Sequence, residues 1–430
     1  MSDRSKPSSP EILAVACGNG HAIAVLDSEI GRIVATWGSG DDGQLGHGDT
    51  RERDAPQVVL ALMGKDVDLV SCGGDHCVAS SSSRRETYSW GWGDFGRLGH
   101  AQADDVWTPK PIRGLSGLTL AQVACGDMHT LALTVDGAVY AFGRNQAGQL
   151  GIPSQYDALE PTRVAALEGK HVRQVSCGGE HSLAVVEGGQ LYVWGWGKYG
   201  NLGLGNELDH RLPVHVEVPG APTITTACCG WRHTAAVDAE GRLYTWGWNK
   251  YGQLGLGNHE NQSRPSLVSS LSTSAVHSVS GGWRHTLVIA GPQHEVFAWG
   301  WNRFGQLGLD GIQDCSRPCR IRGELEGCSV RSVQAGWRHS IAVTREGEVY
   351  VWGRGASGVL GLGGREEDQL MPTRLVSLSL GTAELGDLMT QQTVPEADAA
   401  SKYGLVPEQA GEEAGGVVPD YNVEAKRSRV

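Results

Sequence analysis

Apolar and polar positions alternate along this chain in short runs, not in helical stripes. The stretch Val175-Ser176-Cys177-Gly178-Gly179-Glu180-His181-Ser182-Leu183-Ala184-Val185 reads as a strand, a glycine bend and a second strand, and Leu191-Tyr192-Val193-Trp194-Gly195 supplies a third. Asn201-Leu202-Gly203 then closes a further turn before a polar linker. Runs rich in Val, Leu, Tyr and Trp, bounded by Gly, Asn and Asp and free of a long helical period, predict strands joined by tight turns. The pattern recurs around a histidine: His21, His76, His129, His181, His233, His285 and His339 each follow a Gly-rich bend and precede an apolar run. The chain is therefore seven copies of one unit of about 52 residues. Self-similar β units at a period of about 50 residues indicate a solenoid or a propeller, and seven is a usual closing number for a propeller. A ring also removes the free sheet edges that an open array would expose.

The fold class is thus predicted as all-β, a seven-bladed β-propeller. Residues 1–10 are expected to form a flexible N-terminus, 11–380 the propeller, and 381–430, where Ala, Glu, Gly and Gln dominate, a disordered tail. Ring closure is expected to lay Ile12 to Val15 alongside Pro372 to Val376, because the repeat, phased on its histidine, starts and stops mid-blade.

Composition narrows the classes. Sixty-two glycines suit tight turns and close backbone approach near a crowded axis. A net charge of -12 argues against a general nucleic-acid or acidic-membrane binder. Met1 to Pro10 is polar, and no apolar run is long enough to span a bilayer, so a soluble, intracellular protein is expected. Cys17, Cys72, Cys125, Cys177 and Cys229 share one slot in successive repeats, a whole blade apart, and are expected to be small buried thiols. Cys315 and Cys319 form a close pair outside that slot, without a second Cys pair or a His at zinc spacing, so no metal is expected there. A histidine repeated beside every glycine bend reads as a structural hydrogen-bonding residue. No acid or nucleophile recurs beside it at the spacing of a triad, and no Gly-rich turn leads into Lys-Ser/Thr and a helix. The expectation is a non-enzyme without cofactor or metal.

Differences between repeats carry the remaining information. Gly230-Trp231-Arg232-His233-Thr234 returns as Gly282-Trp283-Arg284-His285-Thr286 and Gly336-Trp337-Arg338-His339-Ser340, whereas the first four repeats lack Trp-Arg. The residue before the histidine runs Gly20, Asp75, Met128, Glu180, Arg232, Arg284, Arg338, and a second slot runs Asp41, Asp94, Gln146, Lys198, Lys250, Arg303, Ala356. Both slots pass from acidic to basic. A face acidic on one half and basic on the other is self-complementary under a two-fold rotation, which predicts an isologous homodimer that weakens with salt. Fourteen Trp stand against four Phe. Trp37, Trp90, Trp194, Trp246, Trp299 and Trp352, with Phe142 in the third repeat, read as packing between blades. Trp231, Trp283 and Trp337 do not recur in every repeat and lie beside arginines, which predicts ring contacts and cation–π contacts with Arg232, Arg284 and Arg338, and joint absorption of ultraviolet light.

The pattern Cys-Gly-x-x-His-Ser/Thr-Leu-Ala-Val followed by Trp-Gly-x-x-x-x-Gly-Gln-Leu-Gly resembles the regulator of chromosome condensation repeat, a family of seven-bladed propellers, over residues 12–376. Within it, the triplicated Gly-Trp-Arg-His-Thr/Ser resembles the plant and algal UV-B photoreceptors. That resemblance implies a chromophore of Trp283 and Trp231 with Trp337, to which Trp92 of the other subunit is added. It implies dimer contacts through Arg284 and Arg338, supported by Arg144, Arg232, Arg303 and Arg354, on Asp41, Asp42, Asp94, Asp105 and Glu180. It implies a homodimer in the dark that light converts to a monomer, with a WD40-containing E3 ubiquitin ligase and WD40 repressor proteins as partners after UV-B, and chromatin or transcription factors beyond them. It places the protein in cytoplasm and nucleus. Tyr403, Val406 and Pro407 resemble the Val-Pro peptide that docks on the ligase, with Val418-Pro419 as a second candidate. Phe142 stands where the family has Trp, and Lys198 where Arg is common. Two other readings of the same repeat are a guanine-nucleotide exchange factor for a small GTPase and a passive interaction module; neither predicts the Trp-Arg triplet.

Overall fold

The computed structural model describes residues 10–364 and 366–379. They form seven four-stranded antiparallel sheets, each a meander of consecutive strands. The fifth blade is representative: Ile224–Cys229, His233–Asp238, Leu243–Gly247 and Gln262–Leu267. Its second strand, starting at the repeat histidine, is buried along its whole length, as it is in the sixth blade. The blades therefore pack face to face through continuous apolar runs of their inner strands.

The fourth strand was hidden in the sequence as polar linker. In every blade it carries a proline: Pro56, Pro109, Pro161, Pro213, Pro265, Pro318 and Pro372. Proline has no N–H to donate to a ladder, so it is tolerated only on an outer edge, where these strands lie half exposed. The seventh outer strand, Gln369–Arg374, pairs with Val349–Gly353 of its own blade. Ile12 to Val15 pairs with the strand His21–Ser28 of the first blade. The expected pairing of these two segments is thus corrected: each repeat supplies all four strands, and no strand is exchanged at closure. The seam is side-chain packing plus a few long-range bonds instead. Trp37 Nε1 donates to the Val359 carbonyl at 3.0 Å, Trp337 N to Gly18 O at 3.3 Å, and Gly363 N to Asp54 O at 2.9 Å.

Two devices tie each blade to the next. The strand-ending aromatics are fully buried, Phe142 included. Most of these indoles donate to a backbone carbonyl of the preceding blade, as Trp194 does to Gln149 O at 2.9 Å and Trp352 to Gln306 O at 2.9 Å. The histidine supplies the second device. His129 Nε2 meets Ser182 Oγ at 2.8 Å, His181 meets Thr234 at 3.0 Å, His233 meets Thr286 at 3.0 Å and His285 meets Ser340 at 3.0 Å, each in the following blade. The structural reading of these histidines agrees with that arrangement. At the seam the series breaks: the equivalent of Ser182 is Ala22, and the buried Nε2 of His339 has no hydrogen-bond partner. Ala22→Ser should repair it, because Ser182 Oγ shares the Gln149 carbonyl with Trp194, and Val359 O beside Trp37 offers the same acceptor. We expect a gain of about 1 kcal/mol in denaturant unfolding.

Burial holds the imidazoles of His129, His181, His285 and His339 down at about 3 and that of His233 at about 4. They are neutral in the fold, whereas the unfolded chain takes up protons below about 6.5. Their contribution to stability is therefore intact above that pH and is lost as pH falls from 6.5 toward 4. The urea midpoint is expected to drop through that window, before carboxylate protonation dominates, and a flat midpoint between pH 6.5 and 5 would contradict the assignment.

Candidate functional site

The bend before each histidine sets the site. A Cβ on Gly282 would lie 2.5 Å from the His285 ring and 2.7 Å from Gly336 O, so only glycine lets the chain pass there. The next residue is then carried over the mouth of the central channel. Its amide is fixed to the following blade: Trp231 N to Gly282 O at 3.1 Å and Trp283 N to Gly336 O at 3.2 Å. The channel mouth is consequently lined by Asn19, Asp127, Trp231, Trp283 and Trp337.

The predicted contacts form. Trp283 is central, with ring centroids 5.3 Å from Trp231, 5.0 Å from Trp337 and 5.5 Å from Trp301. Each arginine of the triplet lies over the indole before it: Arg232 over Trp231 at 3.7 Å, Arg284 over Trp283 at 3.5 Å and Arg338 over Trp337 at 3.9 Å. Arg284 also donates to the Tyr251 hydroxyl at 2.9 Å. The aromatic set is larger than the sequence reading assigned. Trp196, Tyr199, Trp248, Tyr251, Trp301 and Phe304 continue as a chain of edge and stacked contacts, from Trp196–Tyr199 at 5.4 Å to Trp301–Phe304 at 5.4 Å. The signal was present as Trp-x-x-Tyr/Phe in the turns of blades four to six. Asp127 was also missed, although it occupies the slot of the three tryptophans in the third blade. It accepts the Trp231 Nε1 proton at 3.0 Å.

The charged positions fall as follows. Asp41, Asp94 and Arg303 are exposed, and Asp42 is half buried with its amide donating to Gln44 at 2.9 Å. Asp105 is exposed but also structural: its Oδ1 accepts from Gly93 N at 2.9 Å, as Asp157, Asp209 and Asp314 do for the corresponding amides of other blades. Glu180 pairs within the chain with Arg144 at 3.2 Å. Lys198 lies 4.0 Å from Asp209. Arg284, Arg338, Arg303 and Arg354 make no ion pair with an acid of their own chain among the described residues. Burial first, then the positive charges of Arg354, Arg284 and Arg303, pulls the Arg338 guanidinium down to about 10. Burial likewise lowers Arg284, aided by Arg232 and opposed by Tyr251. Trp92 does not join the indole group of its own chain; it lies under the buried Arg97, 3.8 Å away, and Arg97 donates to Asp127 O at 2.9 Å. The five slot cysteines line the channel and are free thiols, whereas Cys315 and Cys319 on the outer strand of the sixth blade approach as a disulfide pair. Tyr403, Val406, Pro407 and the second Val-Pro lie outside the described residues.

A family profile described as RCC1-like domain matches residues 2–226 and 115–392. The ultraviolet-B receptor UVR8 of Arabidopsis thaliana is 43% identical over 406 residues, covering 93% of this chain and 91% of that protein. The human E3 ubiquitin-protein ligase HERC2 is 36% identical over 277 residues, 64% of this chain but 6% of its own length. Among solved structures, human WBSCR16 superposes with a TM-score of 0.70 at 26% identity, covering 80% of this chain and 93% of that one. Yeast Prp20p superposes with a TM-score of 0.71 at 24% identity, over 81% and 85% of the two chains, which speaks for the fold alone. The chain belongs to the RCC1-like domain family and is a homologue of the Arabidopsis receptor.

Proposed function

We propose that this propeller, over residues 11–380, is a UV-B photoreceptor that uses its own tryptophans as chromophore. In the dark it is a homodimer held by arginines of blades five to seven on the acids of the partner's early blades, with Trp92 of each subunit placed against the other's cluster. The observation that carries the reading is Trp283, in contact with three indoles and capped by Arg284 at 3.5 Å. A cation over an indole face is held by the ring's charge distribution. Excitation redistributes that charge, so light absorbed anywhere in the coupled cluster changes the field on the guanidiniums that make the dimer contacts. The ion pairs weaken, and the monomer is released. Arg284 and Arg338 then carry the main contacts, with Arg144, Arg232, Arg303 and Arg354 around them, and the Arg144–Glu180 pair would exchange partners on assembly.

In the monomer, residues 381–430 act as the partner-binding tail, presenting Tyr403, Val406 and Pro407 to the WD40 domain of an E3 ubiquitin ligase, in cytoplasm and nucleus. The 43% identity to the Arabidopsis receptor over nearly its whole length supports this reading. The test is size-exclusion chromatography of the purified full chain before and after narrow-band UV-B. A shift from dimer to monomer without added chromophore is expected; unchanged elution under saturating light would sink the proposal.

A further inference from the structure

One link of the histidine series differs chemically from the rest. From His76 to His285 the imidazole meets a Ser or Thr hydroxyl of the next blade, but His21 Nε2 meets the thiol of Cys77 at 3.2 Å. Cys77 is also the direct cross-strand partner of the slot cysteine Cys72, and the two sulfurs lie 3.6 Å apart. The second blade alone combines a slot cysteine with a thiol at the Ser/Thr position, and among the described residues two sulfurs and an imidazole converge only here. All three donor atoms lie within 4.8 Å of one another. His21 and Cys77 are fully buried, while Cys72 is 7% exposed and lines the central channel, which gives an ion a route in.

We propose that His21, Cys72 and Cys77 form a metal site for a divalent d10 cation, zinc, that staples the first blade to the second. Zinc takes thiolate at about 2.3 Å and imidazole at about 2.0–2.1 Å, so two sulfurs on one tetrahedral ion stand about 3.8 Å apart and a sulfur and a nitrogen about 3.6 Å. The His21–Cys77 and Cys72–Cys77 separations, 3.2 Å and 3.6 Å, need to change by only about half an ångström to meet that geometry. Sulfur and imidazole donors are the set that selects zinc over magnesium or calcium, and two thiolates neutralise a divalent charge, which a buried position requires. Binding releases the two thiol protons to solvent, and the imidazole stays neutral, offering Nε2 and carrying its proton on Nδ1. Three protein ligands leave one position open, as in three-ligand zinc sites that hold a water.

The repeat itself supplies the control. Cys77→Ser places the residue found at this position in the fourth and seventh blades, so the variant should fold and keep a hydrogen bond to His21. The experiment uses the full-length protein, reduced and freed of metal, in a Cys315→Ser/Cys319→Ser background that removes the half-buried outer-strand pair. Co(II), added as a spectroscopic substitute for zinc, should give a thiolate-to-cobalt charge-transfer band at one equivalent, and zinc should abolish it. Zinc should raise the thermal midpoint of this background and not that of the background carrying Cys77→Ser, and Cys77→Ser or Cys72→Ala should lose the band. The proposal is overturned if Co(II) gives no band after prolonged incubation, or if the band persists in Cys77→Ser, which would assign it to other channel thiols. Neither readout uses light, so failure here leaves the photoreceptor reading untouched.

Discussion

Trp283→Phe is expected to leave the dark dimer intact and to abolish its conversion by UV-B. Phenylalanine keeps an aromatic face under Arg284, so the guanidinium retains its platform and the dimer contact its geometry. What is lost is the indole that absorbs in this band and that touches Trp231, Trp337 and Trp301 at 5.0–5.5 Å. Position within the cluster grades the other variants. Trp231 touches Trp283 and Trp248, and its N–H is committed to Asp127, so Trp231→Phe should reduce conversion strongly. Trp337 touches one indole of its own chain and should matter least of the three. Trp299→Phe is the matching control. That ring is fully buried between blades, Phe142 shows that the slot accepts a phenyl ring, and light conversion should survive. The assay is native chromatography after graded UV-B doses. Wild-type conversion by Trp283→Phe would remove Trp283 from the centre of the mechanism, and loss of the dark dimer would show that its role is structural.

How much of this was legible in the sequence depends on whether a feature repeats or deviates. The blade core was readable because histidine, glycine bend and strand-ending aromatic are forced in every unit by contacts with the next. Gly282 has no room for a Cβ, and His285 must reach Ser340. The Trp-Arg triplet was readable because it breaks that repeat. The fourth strand was not, since an outer strand with a proline and a half-exposed face has the composition of a linker. The seam was misjudged for a related reason: phasing the unit on a histidine in the second strand leaves the first strand appearing unattached. Tyr251 and Asp127 escaped because their roles depend on neighbours from other blades. Asp127 reaches Trp231 across 104 positions of sequence, a relation no local pattern encodes.

Replacing Arg284 and Arg338 by alanine should eliminate the dark dimer altogether. The basic half of this face is a set of like charges held close together against rings, and the cost is visible in Arg338, pulled down to about 10 by burial and by Arg354, Arg284 and Arg303. Four of these guanidiniums have no acid within the chain among the described residues, whereas Asp41 and Asp94 stand exposed on the opposite half. A two-fold partner resolves both imbalances at once. Truncating one member of a charge pair that becomes desolvated in an interface costs about 2 kcal/mol or more, roughly thirty-fold in Kd. The two substitutions together, on each side of the two-fold axis, remove four such contacts. Arg284→Lys should fall between wild type and alanine, because a point charge replaces a planar fork and the stack on Trp283 is weakened. Dark dimer Kd should also rise with salt, since the remaining rim pairs are screened over about 8–10 Å at moderate ionic strength. Analytical ultracentrifugation in darkness reads all three. A double-alanine variant that sediments as a dimer, or a wild-type Kd indifferent to salt, would mean that apolar contact and not charge holds the subunits, and the coupling of light to guanidinium contacts would lose its basis.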